Sequence, residues 1–122
     1  VPSTANQQKL ERLMTEQRPY LAPEITLGDL AQRAGIPSNQ LSQLINSSLG
    51  MNFNDYINRY RIEAVKRAIQ SGEHQQKSLL GIALDCGFNS KATFNRTFKK
   101  FTQSSPSEYA QKVNPSAQQK SS

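Results

Sequence analysis

Residues 87–101 read GFNSKATFNRTFKKF. In a helix, Phe94, Phe98 and Phe101 fall at i, i+4 and i+7, one apolar stripe of the 3.6-residue period. Lys91, Arg96, Lys99 and Lys100 lie mostly off that stripe. A helix this short is marginal by itself in water. The pattern therefore predicts a helix docked by its phenylalanines, with its basic side left for something negatively charged.

The charge of the whole chain agrees. Its 122 residues carry a formal net charge of +6, with a pI near 9.7. From Arg59 to Lys120 there are eleven Lys or Arg against four acids, and from Val1 to Asn58 four against five. The positive field thus belongs to the second half and favours nucleic acid or an anionic membrane surface, the former better suiting a compact domain. A basic surface that merely keeps the protein soluble is the plainer alternative. The length suffices for one compact domain, and 35% hydrophobic residues against 20% charged support a folded core, a small one given 7% aromatics and no Trp. No run of eighteen apolar residues spans a membrane. The chain opens on Val1 with no signal-peptide pattern and reads as a piece of a longer protein. Cys86, the lone cysteine, has no internal disulfide partner, which fits a reducing compartment.

Helix signals recur along the chain and β alternation does not. Residues 1–5 read as a linker, followed by a helix from Asn6 to Gln17 that buries Leu10, Leu13 and Met14 and stops at Pro19. Thr26 and Asp29 are spaced as a capping box before a helix with Leu27, Leu30 and Ala31 inward, and Gly35 supplies a tight turn. Ser38 to Ser48 reads as its partner helix, with Leu41, Leu44 and Ile45 inward. Asn52 caps a longer helix over 53–69, with Phe53, Ile57, Tyr60, Ala64, Val65 and Ala68 as its apolar face. After the polar loop 71–77 a second pair follows: Leu79 to Cys86, the Gly87-Phe88 turn, then the opening stretch capped by Asn89 or Ser90. Ser105-Pro106-Ser107-Glu108 combines a serine cap, proline at the first helical position and a capping-box glutamate, starting a last short helix with Tyr109. The Ser/Gln-rich tail reads as disordered. The expected fold is all-α with about seven helices. Its divisions are a linker 1–5, a first helix-turn-helix subdomain 6–52, a linker helix 53–70, a second subdomain 71–112 and a tail 113–122.

The two helical pairs are an internal repeat. Ala31 and Gly35 match Ala83 and Gly87 at 52 positions, and Leu41 and Ile45 match Phe94 and Phe98 at 53. A joining helix of about 17 residues is roughly 25 Å long. It can set two recognition helices about one turn of B-DNA apart, roughly 34 Å, on one face.

The run Arg61-Ile62-Glu63-Ala64-Val65-Lys66, the pattern Ile82-Ala83, Gly87-Phe88, Phe94 and Phe98-Lys99-Lys100, and Pro106 with Tyr109 resemble the DNA-binding domain of AraC-type bacterial transcription regulators over about Leu10 to Lys112. The resemblance implies a homeodomain-like pair of helix-turn-helix subdomains joined by a linker helix, each placing a recognition helix in the major groove of double-stranded DNA. Leu41-Ser42-Gln43-Leu44-Ile45-Asn46 also resembles a subgroup in which such a domain ends a membrane-bound sensor. An upstream sensor or effector region, a cytoplasmic location and RNA polymerase as a further partner follow from the same resemblance, with no cofactor, metal or small-molecule site in this stretch. Three departures stand out: Gln103 where glycine is common, Ala110 where arginine often follows the tyrosine, and Pro37-Ser38 in place of a serine-proline start.

Carried over position by position, the base-contacting residues implied are Asn39, Ser42 and Gln43 in the first unit and Lys91, Ala92, Thr93 and Arg96 in the second. The phosphate contacts are Ser38, Asn46, Arg61, Ser90, Asn95, Lys99 and Lys100. Arg96 is independently placed opposite the phenylalanine stripe, where a guanidinium can pair bidentately with guanine, or serve only as a solvated or i, i+3 charge. Gln43 is its repeat-equivalent, and its amide suits adenine. The stretch Ser38 to Ser48 holds no charged residue, so the second unit is expected to supply most electrostatic affinity and the first to read sequence through amides and hydroxyls. Arg59 and Arg61 are open to the DNA backbone or to salt bridges with Asp55 and Glu63.

Other classes fit less well. One loop histidine, His74, no glycine-rich phosphate loop and scattered carboxylates give no catalytic set or metal cluster. A protein-interaction module would call for an exposed apolar groove and insensitivity to salt. An RNA platform would need the phenylalanines exposed.

Overall fold

The computed structural model describes residues 2–113. Among them there are seven α-helices and no strand: α1 (Pro2–Glu16), α2 (Leu27–Ala34), α3 (Ser38–Gln43), α4 (Phe53–Gln70), α5 (Leu79–Asp85), α6 (Lys91–Thr102) and α7 (Pro106–Val113). Short 3₁₀ turns occupy Pro19–Leu21 and Glu73–Gln75. The chain divides into two compact units, Val1–Tyr60 and Arg61–Ser122, with the division inside α4.

The helix starts follow from local hydrogen-bond chemistry. The Asp29 N–H donates to Thr26 Oγ1 and the Thr26 N–H to Asp29 Oδ2, at 3.1 and 3.2 Å, the reciprocal capping box expected there. The Asp55 N–H donates to Asn52 Oδ1 at 2.7 Å. At α7 the Glu108 N–H donates to Ser105 Oγ and the Ser105 N–H to Glu108 Oε1. That backbone donor, helped by the Ser105 side chain, holds the Glu108 carboxyl below its usual range, so this cap weakens as pH falls through the carboxylate range. Ser78 caps α5 by accepting from the Gly81 N–H.

The first helix begins earlier than expected, since residues from Pro2 are helical. Proline is compatible with a first helical position, where its missing N–H would have no intrahelical acceptor. The expected helix Ser38 to Ser48 is α-helical only to Gln43, and Leu44–Ser48 opens into a π turn. There the Leu49 N–H donates to the Leu44 carbonyl and the Met51 N–H to Ile45. In the same stretch Asn46 Nδ2 donates at 2.9 Å to the Ser42 carbonyl four residues back. Val113 ends α7 rather than opening a tail, and the tail beyond it lies outside the described residues.

The core of the first unit is aliphatic, with Leu10, Met14, Leu30 and Leu41 fully buried beside Leu13, Ile36, Leu44 and Ile45. Tyr20 stacks on Tyr60 and Tyr60 meets Tyr56 edge-on. The second unit is aromatic at its centre. Phe88, Phe94 and Phe98 are buried with Ile62, Val65, Ile69, Ile82 and Ala83, and Phe101 and Tyr109 pack partly buried at the edge. Along α4 the buried residues are Tyr56, Ile57, Arg61, Ile62, Val65 and Ile69, whereas Phe53, Tyr60, Ala64 and Ala68 of the expected face are only half-buried. A single apolar stripe fails because the two halves of α4 serve different cores.

The repeat survives in the turns. The Ile36 N–H donates to the Ala31 carbonyl at 3.1 Å, and the Phe88 N–H to the Ala83 carbonyl at 3.0 Å. Gly35 at φ 69° and Gly87 at φ 107° provide the left-handed residue each turn requires. Gln103 takes φ 65° without being glycine, closing α6 through its N–H to the Lys99 carbonyl. Replacing Gln103 by glycine is expected to stabilise the domain by about 0.5–1 kcal/mol, and Gly35→Ala to cost about 1–2 kcal/mol. Urea unfolding of the two variants beside the parent chain measures both signs.

Candidate nucleic-acid interface

In the second unit, packing sets which side of α6 meets solvent. Phe94 and Phe98 are 2% and 0% exposed, and Thr97 is buried as well. Ring centroids lie at 5.3 Å for Phe88 and Phe94, 5.8 Å for Phe94 and Phe98, and 5.5 Å for Phe98 and Tyr109. The Tyr109 hydroxyl also accepts from Gln70 Nε2 at 2.8 Å, tying α7 to α4 within the unit. With that side fixed, Lys91, Ala92, Asn95, Arg96, Lys99 and Lys100 are exposed and Thr93 is half-buried. Ala92, Arg96 and Lys99 recur at i, i+4 and i+7, one outward row. Among the described residues Lys91, Arg96 and Lys99 make no ion pair. Lys100 lies with its ammonium 5.7 Å from the Phe101 ring. Ser90 accepts from the Thr93 N–H at 3.1 Å as the cap of α6, which leaves its hydroxyl proton to donate.

In the first unit Ser38, Asn39, Gln43 and Asn46 are exposed on α3 and its π turn, and Ser42 is half-buried. Gln40, on the same short helix, is engaged by Asn6 of α1, whose Nδ2 donates to its Oε1 at 3.3 Å. This tie between α1 and the exposed side of α3 was not legible, since nothing in the sequence pairs residues 34 apart. The cations of this unit gather elsewhere. Lys9, Arg12 and Arg33, three of the five Lys or Arg in Val1–Tyr60, line an open groove of about 480 Å³ between α1 and the end of α2, together with Glu16. α3 itself presents only neutral polar groups.

Arg61 departs from its expected place at the DNA backbone. It is buried, with its guanidinium carbon 6.0 Å from the Phe88 ring centroid, and burial pushes its pKa below the ordinary value. A guanidinium packed over an aromatic face is held there by cation–π attraction and by its apolar stem. Glu63, one of its candidate salt-bridge partners, pairs instead with Lys66 at 3.1 Å. Asn46, expected at a phosphate, directs its amide nitrogen to the Ser42 carbonyl and hydroxyl in the free chain.

His74 sits half-buried in the Glu73–Gln75 turn, and among the described residues no group of His, Cys, Asp and Glu has metal-ligand geometry. No described helix is long and apolar enough to cross a membrane.

Two units, each of a helix, a glycine turn and a second helix with an outward polar face, define the class as a helix-turn-helix domain of transcriptional regulators. Residues 30–112 match the family model for a helix-turn-helix domain. The chain is 31% identical over 107 residues to an uncharacterized HTH-type transcriptional regulator of Staphylococcus aureus, covering 88% of this chain and 14% of that protein. It is 35% identical over 88 residues to an uncharacterized HTH-type transcriptional regulator of Escherichia coli, covering 72% of this chain and 30% of that one. A solved transcriptional regulator of Chromobacterium violaceum, described as of the AraC-type DNA-binding domain-containing proteins, superposes with a TM-score of 0.73 at 26% identity, over 92% of this chain and 98% of that one. The chain belongs to the AraC-type helix-turn-helix family. It spans about a seventh of the length of the S. aureus relative.

Cys86 closes α5 next to the turn and is buried. Burial pushes its thiol up to about 11 from 9.0. The raised value means that the stability it contributes is complete below pH 9 and is lost as pH rises towards 11, where the thiolate must be buried to keep the fold. At pH 8 the native thiol is expected to react with a disulfide reagent more slowly than the unfolded chain, because burial both lowers its thiolate fraction and shields the sulfur. Stopped-flow absorbance with and without denaturant measures the ratio.

Proposed function

We propose that this domain binds double-stranded DNA sequence-specifically, as the output domain of a bacterial transcription regulator, with α3 and α6 as recognition helices in successive major grooves. The observation that carries the reading is the opposition on α6 of buried Phe94 and Phe98 to exposed Lys91, Arg96 and Lys99. An exposed cationic row on a rigidly packed helix suits a polyanion with a groove wide enough to admit the helix.

On this reading Lys91, Ala92, Thr93 and Arg96 face base edges from α6, and Asn39, Ser42 and Gln43 from α3. Ser38, Ser90, Asn95, Lys99 and Lys100 face phosphates. Arg61 supports the second core instead. The neutral polar face of α3 supports a division of labour, with α6 supplying most of the electrostatic affinity and α3 reading through amides and hydroxyls. The small share of the S. aureus relative's length that this chain spans supports an upstream sensor or effector region in a full-length protein. A domain acting on bacterial duplex DNA would act in the cytoplasm, with RNA polymerase as a further partner.

Selection of bound duplexes from a random pool at two salt concentrations tests the reading, and two half-sites about 10 base pairs apart are the expected result. Arg96→Ala should relax preference at one base position by about 1–3 kcal/mol. Lys99→Ala should weaken all sequences alike and flatten the log–log salt slope by about 0.9. A domain that bound a protein partner instead would show neither the enriched motif nor the salt slope.

A further inference from the structure

Asn46 is exposed, yet its amide faces inward along its own helix. Nδ2 donates at 2.9 Å to the Ser42 carbonyl and at 3.2 Å to Ser42 Oγ. Both acceptors belong to one residue, and that residue is half-buried on the outward-facing side of α3. A serine hydroxyl has one proton to give and two lone pairs to accept with. Asn46 occupies an acceptor site, and among the described residues no protein acceptor takes the Ser42 proton.

We propose that Asn46 is a positioning residue, which presents the Ser42 hydroxyl to DNA as a hydrogen-bond donor. The partner chemistry is then a base-edge acceptor in the major groove: purine N7, guanine O6 or thymine O4. The π turn is part of the device. In Leu44–Ser48 the backbone ladder is widened, and the Asn46 side chain occupies the Ser42 carbonyl, so side-chain and backbone geometry fix Ser42 together. The first recognition helix is not, in this view, a weakly equipped copy of the second. It is a neutral reader whose one hydroxyl has an acceptor site already filled and its proton still to give.

This inference rests on the DNA-binding reading and deepens it at α3. The test uses the 122-residue chain and duplexes selected by the parent protein. Ser42→Ala and Asn46→Ala are each expected to relax preference at the same base pair by about three- to tenfold, the effect of one hydrogen bond. The double variant should lose no more than Ser42→Ala alone, and the salt slope of Asn46→Ala should equal that of the parent. Asn46→Asp, close in shape but without the donor, should accept the Ser42 proton and turn the preference at that pair towards a base donor, cytosine N4 or adenine N6.

A uniform loss on all sequences with a slope flattened by about 0.9 would make Asn46 a phosphate contact and overturn the proposal. So would additive losses at two different base pairs. A parent chain that selects no motif would instead remove the DNA-binding reading itself, and this inference with it.

Discussion

The second unit depends on the packing of four aromatic rings, Phe88, Phe94, Phe98 and Tyr109, in a chain of contacts at 5.3, 5.8 and 5.5 Å. Each ring comes from a different structural situation: a turn, two successive levels of α6, and α7. Because they interlock, α6 has one permitted rotation about its axis. Arg96 lies two residues from both Phe94 and Phe98, so the same rotation that buries the rings turns the guanidinium outward. Truncating a fully buried phenylalanine costs about 3–5 kcal/mol, a large part of a small domain's stability. The orientation of the basic row is therefore enforced by hydrophobic burial and needs no contact made by the cations themselves.

The two units share a backbone device and differ in what they hang on it. Each has a carbonyl of a buried alanine, Ala31 or Ala83, accepting from the N–H five residues on, across a left-handed glycine. Beyond the turn the first unit uses aliphatic packing and a helix of six residues continued by a π turn, while the second uses twelve residues of regular α-helix.

What could be read in the sequence was what local chemistry decides. Thr26 with Asp29, Asn52 before Asp55, and Ser105 with Glu108 carry their capping partners within three residues, and all three caps form. Gly35, Gly87 and the phenylalanine stripe were equally legible, being matters of backbone freedom and helical period. The misreadings involve long-range or competing terms. Arg61 looked like a surface cation because the ring it packs on, Phe88, is far along the chain. The buried face of α4 was drawn through Phe53 and Tyr60 because a single period was imposed on a helix whose halves belong to different cores. The π turn was invisible because helix signals count apolar spacing, and that spacing is intact at Leu41, Leu44 and Ile45.

With Arg61 buried, α6 carries four exposed cations of the second unit, Lys91, Arg96, Lys99 and Lys100, whereas three of the five in the first unit line a groove between α1 and α2 and α3 stays neutral. A neutral helix gains little from a phosphate field and must be held in a groove by the fit of its hydrogen bonds. On the proposed reading, polarity as well as presence matters at Ser42: with one acceptor site of its hydroxyl filled by Asn46, the proton is left to meet a base-edge acceptor.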